Sequence, residues 1–270
     1  MSCDIAFLDS GTGGIPYMLE LKKKCPDVSC LYLGDTANFP YGEKTSEQIT
    51  ECASSSIRLI AEKWNPGAVV IACNTISVTA LDALRREFPD LPIVGTVPAI
   101  KLAANITHNK KIGLLATNAT VRHPYNERLI KDFAEDCTVF SRGDPELISF
   151  IEHELFTASK EERLAAVKPA VDFFLSKDCD TIILGCTHFT HIAEEIKEAA
   201  GASVMVVDSR DGVANQALRV FKKKPRSLAE ENGVMDCTFF VTAVRSQKDE
   251  SEYSSLCTRA GIPWGGVLGS

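Results

Sequence analysis

Six short apolar runs, many of them β-branched, limit what this chain can form: IAFLD (5–9), CLYLGD (30–35), AVVIAC (68–73), KIGLLA (111–116), TIILGC (181–186) and SVMVVDS (203–209). Each is short for a helix and too uniformly apolar for a strand with one wet face, so each reads as a strand covered on both sides. Helical patterns lie between them. Thr45 and Gln48 form a capping box ahead of a stripe of Ile49, Cys52, Ile57, Ile60 and Trp64. Ser159 and Glu162 open a second helix with Leu164, Val167, Val171 and Leu175 on its apolar stripe, and Pro169 is expected to kink it. Such alternation predicts an α/β fold of parallel sheets flanked by helices, in which ligands sit outside the carboxyl ends of the strands.

The polar residues gather at those exits: Asp9-Ser10, Asp35 with the loop TANFPYG, Cys73-Asn74-Thr75, Thr117-Asn118 and Cys186-Thr187-His188. IAFLDSG at residue 5 is echoed by IGLLATN at residue 112, an offset of 112 − 5 = 107, and the two exit cysteines are offset by 186 − 73 = 113. Similar offsets in the same order predict two related α/β halves sharing one cleft, each giving it a cysteine from an equivalent strand end.

Composition excludes several classes. The 270 residues exceed the ~150 typical of one domain, so one large or two modest domains are expected. With 45% hydrophobic and 24% charged residues the chain is globular rather than disordered. A net charge of −7 argues against a nucleic-acid partner, which needs a surplus of Lys and Arg on one face. Lys222, Lys223 and Lys224 read as a solvated helix end. No run approaches the ~20 apolar residues of a membrane span, and the start MSCDIAFLDS lacks the pattern of a signal peptide, so the cytoplasm is expected. Ten cysteines without a CxxC pair suit a reducing compartment, where Cys3, Cys30, Cys52, Cys137, Cys179 and Cys237 serve as small apolar residues.

Several chemistries compete for the exits. DSGTGGIP follows a strand, but Pro16 stands where a dinucleotide fingerprint needs glycine, and there is no phosphate-loop lysine. Cys186, His188 and His191 give C-x-H-x-x-H, yet residues two apart do not converge on a metal and no acid completes the set. A cysteine hydrolase would pair one thiol with a histidine, although neither sits in a nucleophile elbow. A noncatalytic amino-acid-binding protein would bury both thiols as packing. The remaining option uses both: one thiolate takes a proton from a carbon while the other thiol delivers one to the opposite face. Cysteine suits this work because a helix N-terminus can stabilise its thiolate.

DSGTGG, GDTANFPYGEKT, ACNTIS, LLATNATV and GCTHF stand in the order and spacing of bacterial glutamate racemases, which the chain resembles from about residue 5 to 220. Aspartate racemases and related decarboxylases share the cysteine plan but usually not the PYG loop. The resemblance implies two similar domains with the active site in the interdomain cleft. Residues 1–97 plus 208–270 would carry Asp9 and Cys73, and 98–207 would carry Thr117 and Cys186. It implies interconversion of L- and D-glutamate for peptidoglycan with no cofactor, no metal, no nucleic-acid or membrane partner, and assembly as a homodimer. Cys73 and Cys186 match the catalytic thiols, the first acting on D-glutamate and the second on L-glutamate. Asp9 matches the acid near Cys73, and His188 with Glu152 the pair assisting Cys186; Glu154 is an alternative to Glu152. Asp9, Ser10, Tyr41, Gly42, Asn74, Thr75, Thr117, Thr187 and His188 match substrate-binding positions. The chain departs from the family at Phe189-Thr190, where Tyr-Pro is usual, which puts the turn that carries His188 in question.

Overall fold

The computed structural model describes residues 2–221 and 236–268, so Lys222 to Lys224 lie outside the described residues. The chain divides into two compact units, Met1–Thr96 with Arg210–Ser270, and Val97–Ser209.

The first unit is built on a sheet of β1 (Ile5–Asp9), β2 (Cys30–Gly34), β3 (Ala68–Ile71), β4 (Ile93–Gly95), and two strands from late in the chain that follow the second unit's four in sequence. The second unit holds β5 (Lys111–Ala116), β6 (Thr138–Gly143), β7 (Thr181–Leu184) and β8 (Met205–Val207); the late pair is then β9 (Thr238–Val241) and β10 (Trp264–Val267). The sheet orders are β10-β9-β2-β1-β3-β4 and β6-β5-β7-β8, and every pairing is parallel. Both contain the same inner order, in which the first strand of the half lies between its second and third. Leu8 of β1 is level with Ile71 of β3, and Leu115 of β5 with Leu184 of β7, so Cys73 and Cys186 each stand two residues beyond an equivalent position. The 113-residue offset is therefore structural as well as sequential.

The helices follow from caps and stripes. Ser46–Trp64 begins with the Thr45–Gln48 capping box and buries Ile49, Ala53, Ile57, Ile60 and Trp64, with Cys52 half-buried beside them. Lys160–Leu175 begins with the Ser159–Glu162 box and runs on through Pro169. Its buried stripe is Val167, Ala170, Val171 and Phe174; Leu175, expected inside, is 41% exposed. The residues 167, 170, 171 and 174 form one stripe at helical spacing, and Leu175 lies at its margin in the last turn.

Four strands go unannounced in the sequence reading. β4 has three residues, β6 (TVFSRG) is a partly exposed edge, β10 (WGGV) is mostly exposed and carries two glycines, and β9 (TFFV) is only four residues long. β8, expected to be covered on both faces, is half-buried because it is the last strand of its sheet.

One contact sets the first exit loop. Tyr32 in β2 is fully buried; its hydroxyl donates to Gly11 O at 2.8 Å and accepts from Gly14 N at 2.9 Å. Gly14 lies so close to β3 that a Cβ there would come within 2.4 Å of Ala72 Cβ. Tyr32→Phe strands both backbone groups, so the variant is expected to unfold in urea with about 1–3 kcal/mol less stability than the parent.

Candidate active site

In the first unit β1 ends on Asp9, whose carboxylate is fully buried. Its Oδ1 accepts from Ser10 N at 2.6 Å and from Ser10 Oγ at 3.3 Å. Ser10 Oγ in turn lies 3.9 Å from Cys73 Sγ. β3 stops at Ile71 and the chain leaves it extended at Cys73, which is the N-cap of the 14-residue helix Asn74–Glu87. The positive end of that helix therefore lies at the thiol, where an anion is favoured. Ser77 N donates to Cys73 O at 3.0 Å, and Thr96 Oγ1 donates to Ile71 O at 3.2 Å, fixing the bend on both sides.

Asn74 and Thr75, the first two helical residues, are buried. Neither side-chain amide atom of Asn74 has a hydrogen-bond partner among the described residues. Buried amides are costly without partners, so both atoms are suited to a polar ligand. Tyr41 is buried in the same cluster as Cys73, and its hydroxyl is donated to Asp35. Burial first, then the Asp35 charge and that hydrogen bond, push the phenol far above its ordinary range, so it stays protonated. That leaves the backbone of Tyr41 and of half-buried Gly42 as the parts of this turn with donors to offer.

In the second unit β7 ends at Leu184 and Cys186 caps a 3₁₀ turn, Thr187–Ile192, that leads into the helix Ala193–Ala200. Cys186 Sγ lies 3.7 Å from His188 Nδ1, and His188 Nε2 lies 2.9 Å from Glu152 Oε2. All three side chains are buried. Burial by itself would push the imidazole down. The hydrogen bonds to Cys186 and Glu152, and the charges of both, outweigh it and hold His188 well above the usual histidine range. Glu152 comes from the helix Pro145–His153, and Glu154, its alternative from the sequence, is exposed past the helix end. Phe189 and Thr190 keep the turn closed: Phe189 is fully buried, its N–H donates to Cys186 O at 3.2 Å, and Thr190 Oγ1 donates to Thr187 O at 2.7 Å. Thr187 is buried between the cysteine and the histidine.

Thr117 follows β5 as the N-cap of a short helix; its hydroxyl accepts from Thr120 N at 3.0 Å and donates to Thr120 Oγ1 at 2.9 Å. His191 packs edge-on to Phe156 with ring centroids 5.2 Å apart. Among the described residues no group of three or more His, Cys, Asp or Glu is arranged to hold a metal ion. Sequence reasoning missed Tyr32, Thr242, Ser77 and Thr96 as supports of the exits. The legible signal was Tyr32, a polar tip inside a wholly buried strand, which needs an internal partner.

Two units of parallel α/β architecture, each with a buried thiol two residues past an equivalent strand position and one thiol joined to a buried His–Glu pair, define a protein with paired cysteine sites at strand exits. The chain belongs to the family described as Asp/Glu/Hydantoin racemase, which matches residues 18–217, and is an isomerase of the racemase class. A relative from Treponema pallidum (strain Nichols), named glutamate racemase, is 37% identical over 263 residues, covering 97% of this chain and 96% of its own. Another, from Shewanella piezotolerans and also named glutamate racemase, is 41% identical over 238 residues, 87% of each chain. The crystal structure of Escherichia coli glutamate racemase with L-glutamate and an activator is similar at a TM-score of 0.86 and 30% identity, covering 100% of this chain and 99% of its own.

The sign of the His188 shift makes a test. An imidazole raised by its partners adds stability in full below the ordinary value near ~6.5, and that contribution disappears as pH climbs through the raised value. Imidazole NMR is expected to show His188 still protonated well above that ordinary value. Glu152→Gln is expected to move the titration down; an unchanged curve would mean that the Glu152 contact has no electrostatic effect.

Proposed function

We propose that the protein is a cofactor-independent glutamate racemase in which Cys73 and Cys186 are the two acid–base groups. The observation that carries this reading is the equivalence of the two strand-exit thiols, supported by relatives named glutamate racemase over most of the chain. One thiolate takes the α-proton, and the electron pair left on carbon spreads into the α-carboxylate. The other thiol then gives its proton to the opposite face, leaving the enantiomer and the two sulfurs with their protonation states exchanged. Cys73 would take the proton from D-glutamate and Cys186 from L-glutamate, so both must reach one substrate carbon.

Asp9, bonded to Ser10 beside Cys73, would meet the ammonium group and support that thiol. His188, held protonated with Glu152, would support the Cys186 thiolate and its return to the thiol. The amide of Asn74, the hydroxyls of Ser10, Thr75, Thr117 and Thr187, and the backbone at Tyr41 and Gly42 would bind the two carboxylates. Fixed donors at the α-carboxylate are what such a step requires, because no electron sink other than the carboxylate is available to the carbanion. Supply of D-glutamate to peptidoglycan, a cytoplasmic location and a homodimeric state belong to the same reading. Among the described residues no helix is long and apolar enough to cross a membrane.

Purified protein without added metal or cofactor is expected to abolish the circular dichroism of either glutamate enantiomer, with solvent deuterium appearing at Cα in D₂O. Because the enantiomers have equal free energy, kcat/KM in both directions must fall together in any variant. Cys73→Ser and Cys186→Ser are each expected to lower it by about 10²–10⁴-fold. Ordinary racemisation by either variant would refute the two-thiol reading.

A further inference from the structure

The loop after β2, which carries Tyr41 and Gly42, is tied down by residues from the far end of the chain. Asp35 opens it and is 2% exposed. Its Oδ1 accepts from Thr242 Oγ1 at 2.8 Å and from Asn38 Nδ2 at 3.2 Å, and its Oδ2 accepts from the Tyr41 hydroxyl and from Asn38 Nδ2 at 3.0 Å. Thr242 Oγ1 also accepts from Ala37 N at 2.9 Å. One residue on, Ala243 N donates to Thr36 Oγ1 at 3.0 Å, and that hydroxyl donates to Ala243 O. Arg245 Nη2 then donates to Ala37 O and to Phe39 O, each at 3.0 Å. The turn Tyr41–Glu43 packs on the helix that begins at Asn74, and Tyr41 shares a buried cluster with Cys73.

A loop with only two short 3₁₀ turns loses much conformational freedom when it is ordered, and its affinity for a ligand improves if that order exists beforehand. Thr242 supplies this by joining a buried carboxylate and a loop amide at one atom, and Arg245 by gathering two loop carbonyls. Both residues lie outside the 18–217 span that the racemase family matches. We propose that Thr242 and Arg245 are positioning residues that hold the Asp35–Gly42 loop in the form that receives substrate beside Cys73. The inference rests on the glutamate-racemase reading for its substrate but not for its geometry.

The test compares Thr242→Val, Thr242→Ser and Arg245→Ala with the parent, reading KM and kcat for glutamate and the rate at which iodoacetamide alkylates Cys73, followed by peptide mass spectrometry. Thr242→Val and Arg245→Ala are expected to raise KM roughly five- to tenfold with kcat within about twofold, and to speed Cys73 alkylation. Thr242→Ser, which keeps the bridging hydroxyl, is expected to retain the parent KM. A lowered melting temperature with parental KM and alkylation would show a merely structural role and overturn the proposal. Should Thr242→Val fail to fold, the exposed Arg245→Ala decides alone. A parent enzyme that leaves glutamate unchanged sinks the substrate reading instead, and the alkylation rates then decide the positioning role.

Discussion

A parallel strand covered on both faces has no wet side on which to carry chemistry, so its polar residues collect where it ends. The placement of Asp9 and of the two thiols follows from that. β1 is buried along its whole length and delivers Asp9 at its last residue; β3 and β7 are buried throughout and deliver Cys73 and Cys186 just beyond. The chain must bend within two residues of each exit, and the bend becomes the start of a helix or a 3₁₀ turn. A thiol there is buried yet lies within two residues of a strand end, and each cysteine is 5% exposed.

The two halves support their thiols differently. Cys73 has a long helix behind it and a serine–aspartate pair beside it, whereas Cys186 has a shorter turn and a histidine clamped by Glu152. The symmetry of the backbone thus carries an asymmetry of charge. A neutral hydroxyl mediates between carboxylate and sulfur in one half, and in the other an imidazole whose protonation both of its neighbours favour. In the proposed two-thiol reaction the groups would exchange protonation state in each turnover, which does not require identical surroundings; each must only be able to exist in both forms.

Much of this was legible because it rests on local patterns. The two capping boxes, the six apolar runs and the repeated exit cysteines each depend on residues close in sequence, and all of them appear in the fold. What was not legible depends on distant partners. Leu175 is exposed because the packing of its helix favours the stripe through Phe174, and β6 and β10 lack the apolar run of an inner strand because they lie at sheet edges. Glu152 could be told from Glu154 only by where the helix Pro145–His153 ends. The roles of Thr96 and Thr242 are set by bonds to residues 25 and 207 positions away, which no short window of sequence contains.

The order of the strands has a further consequence for how the chain matures. β2 pairs on one side with β1 and on the other with β9, more than two hundred residues downstream. On the ribosome, the edge of β2 therefore emerges long before its neighbour exists, with Leu31, Tyr32 and Leu33 bordering an unmatched row of amides and carbonyls. The second unit is continuous in sequence and can complete its sheet meanwhile, so the nascent protein passes through a stage with one closed unit and one sticky margin. A chain that ends before β9 leaves that margin of β2 unpaired, the kind of edge through which strands of different molecules join.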